Sequence, residues 1–142
     1  MPLRPQRVLF LLTVLALLGA GCGDGATLSA KALAKKAESL QSQAAEGALL
    51  ARDAVDGKTT RIYTRVHGSD LHKAASEAQT SLAKGKTEPA LEPKLRRLAA
   101  LAASVTADLD RLGDAPRKEQ RRLARNLETA AHQSGQIAEA LG

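Results

Sequence analysis

Four stretches of this sequence repeat apolar residues at alternating steps of three and four, and this spacing constrains the fold most strongly. Because an α-helix turns once in about 3.6 residues, the spacing places the apolar side chains on one helical face. Short segments rich in Gly and Pro separate the stretches, and no strand pattern is found. The sequence therefore predicts an all-α, antiparallel, up-down-up-down four-helix bundle over residues 29–142.

Residues that commonly cap helices stand at the predicted helix ends. Ser29, either Thr59 or Thr60, and Asp114 are placed to accept hydrogen bonds from free amide groups at the starts of the first, second and fourth helices. Gly57 follows the first helix and can adopt the left-handed conformation that often ends one. These positions predict short connections between helices.

The second helix has the least regular apolar stripe. Its predicted inner face begins with Tyr63 and His67, and Gly68 and Ser69 interrupt the pattern, so a kink or a new helix start at Ser69 is predicted. A buried imidazole needs a hydrogen-bond partner. A structural hydrogen bond is the simpler interpretation of His67, and pH sensing is the alternative.

The predicted core is built from small side chains. After Cys22 the chain holds 26 alanines against 21 residues of Leu, Ile and Val, and Tyr63 is its only aromatic residue. Alanine favours helices but offers little apolar area for burial. We therefore expect closely packed helices and modest stability.

The N-terminal segment has the three parts of a secretory signal peptide. Arg4 and Arg7 supply the charged start, Val8 to Leu18 form an apolar centre, and the small residues 19–21 form a cleavage site. The apolar run is too short for a membrane span, which needs about 20 residues. Cys22, the only cysteine of the chain, follows directly.

The sequence Leu18-Gly19-Ala20-Gly21-Cys22 resembles the lipobox of bacterial lipoproteins. The resemblance implies that Cys22 receives a diacylglyceryl group on its sulfur and becomes the new N-terminus. Gly19 stands where the family usually has Leu, so simple cleavage with release of a secreted protein is the alternative. The rest of the chain is weakly similar to Ala-rich envelope proteins of high-GC bacteria, which implies no activity.

On this interpretation the chain has three parts: a lipoprotein signal peptide at 1–21, a lipidated tether at 22–28 and a helical domain at 29–142. The expected location is the extracytoplasmic face of the cell membrane. The flexible part of the tether, Cys22 to Ala26, reaches only about 15–20 Å, so the bundle should lie close to the membrane.

No catalytic, cofactor or metal site is predicted. His67 and His72 are five residues apart, whereas two ligands on one helical face need a spacing of four, and His132 lies far along the chain. The carboxylates are not paired for acid–base catalysis, and no Gly-rich phosphate loop occurs. We expect a protein that is not an enzyme and has no cofactor.

The densest cluster of charge lies near the start of the fourth helix. Positive charge there opposes the helix dipole, which hints at an anionic partner. An anionic lipid or wall polymer fits an exported protein, whereas nucleic acid does not; a solvated helix face is the simplest alternative. The candidate contact residues are Arg117, Lys118, Arg121, Arg122 and Arg125.

These features predict a membrane-anchored, non-catalytic helical module that has a structural role or binds another envelope component. The alternative is an envelope sensor or small-ligand binding module with a gap between its Ala-lined helices. Against this alternative, a mostly apolar pocket usually has larger side chains around it.

Overall fold

A computed structural model of the chain describes residues 27–142. Four helices form the bundle, as predicted, and a pair of two-residue strands joins the segment before the first helix to the connection between the second and third helices. The elements in chain order are β1 (Thr27–Leu28), α1 (Ala30–Val55), α2 (Arg61–Lys84), β2 (Lys86–Thr87), α3 (Glu92–Leu112) and α4 (Arg117–Glu139).

Helix α1 packs most extensively on α4, and α2 packs most extensively on α3. In the first pair, Gln41 of α1 lies against Gly135 of α4, and Gly47, later in α1, lies against Leu127, earlier in α4. The contacts of these two helices therefore run in opposite sequence directions. In the second pair, Arg65 of α2 lies against Gly113 at the end of α3, whereas His72, later in α2, contacts Thr106, earlier in α3. His72 Nδ1 lies 3.1 Å from the carbonyl oxygen of Thr106.

The predicted stripes of α1, α3 and α4 form the core, which confirms the helical periodicity. Alanines of α1 are fully buried where this helix meets its neighbours, so the backbones approach closely. Leucines supply most of the larger volume. The fully buried leucines are Leu33, Leu40, Leu82, Leu98, Leu109, Leu112, Leu123 and Leu127.

The stripe of α2 differs from the prediction over its first two turns. Thr64 and Gly68 face the core, whereas Tyr63 is more than half exposed and His67 is partly exposed. Thr64 satisfies its buried hydroxyl by donating to the carbonyl oxygen of Thr60 at 3.0 Å. The helix is continuous through Gly68 and Ser69, so the predicted kink or new start is wrong.

The predicted caps are confirmed for the first two helices. The hydroxyl of Ser29 accepts a hydrogen bond from the amide of Ala32, and that of Thr60 accepts one from the amide of Tyr63, both at 3.2 Å. Gly57 has a φ of 71° just after α1. These contacts fix where the first two helices begin.

Asp114 does not cap the fourth helix, so that prediction is wrong. Pro116 is the N-cap residue of α4, and the carboxylate of Asp114 instead accepts a hydrogen bond from Arg65 at 2.5 Å. Because Arg65 belongs to α2, the loop between α3 and α4 is held to the neighbouring helix by this ion pair.

The strand pair was not predicted. Thr27 pairs with Lys86 and Leu28 with Thr87 in a parallel ladder, and the hydroxyl of Thr87 donates to the carbonyl oxygen of Leu28 at 2.8 Å. Two residues are too few to show a strand period in sequence. The last two residues of the predicted tether, 22–28, are therefore fixed to the bundle.

Candidate functional site

The predicted signal peptide and Cys22 lie outside the described residues, so lipidation stays a prediction. Within residues 27–142 no helix is both long enough and apolar enough to cross a bilayer. The fold does place the point where the chain enters the bundle. That point is β1, next to the connection between α2 and α3.

The bundle has two distinct ends. One end carries β1, β2 and the start of α1, and we call it the tether end. The opposite end, which we call the distal end, carries the α1–α2 connection (56–60) and the α3–α4 connection (113–116). Because α1 has 26 residues, the two ends are separated by about 39 Å at 1.5 Å per residue.

The predicted basic residues lie at the distal end. All five side chains, from Arg117 to Arg125, are on the exposed side of α4. Arg122 pairs with Glu119 at 3.3 Å, and Glu119 also accepts a hydrogen bond from Arg111 of α3. No carboxylate of residues 27–142 lies within 4 Å of the charged groups of Lys118 and the three remaining arginines.

An open groove of about 490 Å³ lies between the ends of α3 and α4. Four cationic side chains and one carboxylate line it, so its formal charge is +3. We call it the basic groove. Its lining residues are Arg111, Pro116, Lys118, Glu119, Arg122 and Arg125.

Asp108 lies buried beside this groove. Burial raises the pKa of its carboxyl above the ordinary value of 3.8, while the Asn126 amide and the charges of Arg111 and Arg122 oppose the rise. The pKa of Asp108 is higher in the folded protein than in the unfolded chain. Between these two pKa values, the folded protein therefore holds a proton on Asp108 that the unfolded chain has lost. Asp108 therefore lowers stability as the pH rises from the unfolded pKa through the folded one.

Replacing Asp108 by Asn should raise the free energy of unfolding at about pH 7 by a few tenths of a kcal/mol, because solvent and the opposing charges of Arg111 and Arg122 weaken the effect of burial. The gain should shrink as the pH falls to about 3, where the native carboxyl is protonated. Urea denaturation of both proteins across this range measures the difference. A gain independent of pH would contradict the assigned cause, and Asp110→Asn, an exposed neighbour on α3, is the control.

Besides the basic groove, the distal half carries a group of exposed apolar side chains. The large hydrophobic side chains that are exposed within residues 27–142 are Leu49 (55%), Ile62 (76%), Tyr63 (56%) and Val66 (57%). We call these four residues the distal apolar patch. Three lie on the first turns of α2, and Leu49 lies on the second half of α1.

Contacts between α1 and α2 place the first turns of α2, which carry three of these residues, beside the second half of α1, which carries Leu49. His67 Nε2 lies 2.7 Å from Glu46 Oε1 across the helix pair, and the rings of Tyr63 and His67 stack at 5.5 Å. Leu49 follows Glu46 by about one turn, and Tyr63 precedes His67 by one turn. Because the contacts of these helices run in opposite directions, both steps lead toward the distal end.

The sequence analysis missed this patch. Tyr63 was assigned to the core because residues 63, 67 and 71 are spaced by four. The buried stripe of α2 instead runs through residues 64, 68 and 71, which have almost the same spacing. The available signal was the excess of apolar residues: Ile62, Tyr63 and Val66 cannot all face the same core as Leu71.

The three histidines have separate partners. His67 contacts Glu46, His72 contacts the backbone of Thr106, and His132 contacts Gln136 at 3.1 Å. No three His, Cys, Asp or Glu side chains of the described part converge as ligands for a metal ion. The bond to Glu46 is the kind of structural hydrogen bond expected for His67.

Comparison of the chain with protein-family models, with curated proteins and with solved structures finds no match.

Proposed function

We propose that this chain is a lipoprotein held at the extracytoplasmic membrane face through Cys22, and that its bundle binds another envelope component without catalysing a reaction. The observation that carries the binding role is the distal apolar patch. Exposed large hydrophobic side chains gathered on one side of a small domain are typical of interaction surfaces.

The position of the patch supports this proposal. Leu49 is 19 residues beyond the start of α1, which corresponds to about 28 Å along the helix. From Cys22 to Thr27 the chain spans five residues and reaches at most about 17 Å. An upright bundle would therefore hold the patch away from the lipid and open to a partner.

The composition of the distal half indicates the chemistry of that partner. Tyr63 offers a rigid aromatic ring with a polar hydroxyl, a combination enriched at protein interfaces. The basic groove at the same end adds a formal charge of +3. We propose a protein partner with an apolar surface flanked by acidic residues.

The location of the basic residues also bears on the predicted anionic contact. Along α4, Arg117 lies about 33 Å and Arg125 about 21 Å from Glu139, the last residue of the helix, which is on the side of the tether end. Charge attraction to a bilayer falls off within a Debye length, about 10 Å at ordinary salt. An acidic protein or wall polymer therefore fits these residues better than the anchoring membrane does.

Site-specific photocrosslinking in intact cells tests the binding role. A photoreactive amino acid at Ile62, the most exposed residue of the patch, should give a discrete crosslinked species. The same group at Ala103, an exposed position on α3, should not. Equal products from both positions, or none from Ile62, would contradict a binding role for the patch.

A patch variant makes the test sharper. Replacing Ile62, Tyr63 and Val66 together by Ser should remove the crosslink from a photoreactive group placed at Lys118 in the basic groove. Since all three side chains are more than half exposed, circular dichroism should show an intact helical fold. Saturable binding of an apolar fluorescent probe to the native protein would instead favour the small-ligand sensor.

A further inference from the structure

The tether end carries a cluster of five lysines in two segments, which Glu38, Glu77 and Glu88 flank in sequence. Residues 27–37 and 78–87 hold five lysines and no Asp or Glu. The first segment contains β1 and the start of α1, and the second contains the end of α2 and β2. We call these residues the tether-end lysines: Lys31, Lys35, Lys36, Lys84 and Lys86.

The fold brings the two segments together on one edge of the bundle. Thr27 pairs with Lys86 in the strand ladder, and Lys36 donates a hydrogen bond from Nζ to Ser81 Oγ at 2.7 Å. The other four tether-end lysines are exposed. Five positive charges therefore share the edge at which the chain enters from Cys22.

The tether-end lysines differ from the cations of the distal half. Every ion pair found within residues 27–142 lies in the distal half, such as Arg65 with Asp114 and Lys58 with Asp56. None of the tether-end lysines has a described carboxylate within 4 Å. Within residues 27–142 these lysines therefore form no salt bridge, and the flanking Glu38, Glu77 and Glu88 are also exposed.

We infer that the tether-end lysines contact the headgroups of anionic phospholipids and hold the bundle upright on the membrane. This inference rests on the proposed anchor, because Cys22 would keep Thr27, and with it the edge of the bundle that carries these lysines, close to the bilayer: five residues reach at most about 17 Å. Lysines at a negatively charged bilayer surface are attracted to it, and the attraction weakens with salt. An upright bundle leaves the distal apolar patch free for its partner.

Lysine acetylation of the protein isolated from cells tests this contact. The protein is mixed with excess vesicles of phosphatidylcholine alone or of phosphatidylcholine with phosphatidylglycerol, and the modified sites are quantified by mass spectrometry. Phosphatidylglycerol should slow acetylation of Lys84 and Lys86 by about fivefold, whereas Lys118 at the distal end should be unaffected. Equal rates in both vesicles, or equal slowing of Lys118, would overturn the inference.

Two variants that lose the same charge provide matched controls. Replacing Lys31 and Lys35 by Gln should reduce the protection of Lys84 and Lys86 by phosphatidylglycerol, since two attractive charges are lost from the same edge. Replacing Arg121 and Arg125 by Gln, also exposed and four residues apart, should leave that protection unchanged. Equal loss of protection in both variants would point to net charge alone and contradict the assigned surface.

The anchor and the lysine contact are measured separately in this experiment. Intact-mass spectra of the same preparation report whether Cys22 carries diacylglycerol. An unmodified Cys22 with lysine protection by phosphatidylglycerol would contradict the anchor but retain the lipid contact. A lipidated Cys22 without that protection would retain the anchor and contradict the contact.

Discussion

Replacing Cys22 by Ala is expected to move the protein from the membrane fraction into the medium and to abolish labelling with radioactive palmitate. The physical reason is the loss of the proposed diacylglyceryl anchor, in which each buried methylene would contribute about 0.8 kcal/mol and two acyl chains would suffice for stable attachment. No helix within residues 27–142 can replace it by crossing the bilayer. The apolar run from Val8 to Leu18 is also shorter than the roughly 20 residues that a span needs.

The control for this experiment is Ala103→Ser, an exposed change on α3 that should leave fractionation and labelling as in the wild type. Release of the Cys22→Ala protein together with an unchanged melting curve would assign the effect to the anchor and not to folding. Membrane fractionation that is unchanged in the Cys22→Ala protein would count against lipidation.

Replacing Leu109 by Ala is expected to lower the free energy of unfolding by about 2–5 kcal/mol. Leu109 is 1% exposed and lies against Gly47 of α1 in the middle of the bundle. An Ala-rich core has few long side chains that could move into the cavity. Since small domains have about 5–15 kcal/mol in total, a urea denaturation curve should shift strongly.

Gly47 offers a direct test of this packing. A Cβ atom at Gly47 would lie 2.6 Å from Leu109 Cδ2, so Gly47→Ala should be strained in the wild type and fit when Leu109 is replaced by Ala. The double variant should therefore be about 0.5–3 kcal/mol more stable than the sum of the two single effects predicts. Gly47→Ala combined with Leu33→Ala, another buried leucine near the tether end, should be additive. Additivity in both pairs would contradict the close contact of Gly47 with Leu109.

Local physical chemistry was sufficient to predict the helices from the sequence. Ser29 and Thr60 accept hydrogen bonds from free amides whatever the rest of the fold, so caps can be recognised without tertiary information. The stripe of α3 is equally clear, because Leu95, Leu98 and Leu109 keep the helical period without polar interruptions. Where leucines mark the buried face, the predicted and observed cores agree.

The predictions failed where tertiary contacts decide between nearly equivalent local choices. Thr64 and Gly68 occupy the buried face of α2, although neither is strongly apolar, because the shared period through Leu71 allows either assignment. Asp114 is an acceptable N-cap by type, yet Arg65 of another helix binds its carboxylate. The parallel pairing of Thr27 with Lys86 depends on residues far apart in sequence.

The candidate site was predictable only in part for the same reason. The positive charge from Arg117 to Arg125 is visible in the sequence, but its position at the end remote from β1 follows only from the packing of α4 on α1. The distal apolar patch could not be separated from the core, since Tyr63 and Val66 have the composition of buried residues. Charge is therefore easier to locate from sequence than exposed apolar surface.

Intact-mass spectrometry of the protein isolated from cell membranes tests the proposed anchor most directly, because it determines the chemical state of Cys22. A lipid-anchored chain should begin at Cys22 and carry the added mass of a diacylglyceryl group on the cysteine. A chain with an unmodified thiol, or one that keeps the first 21 residues, would contradict the proposed anchor.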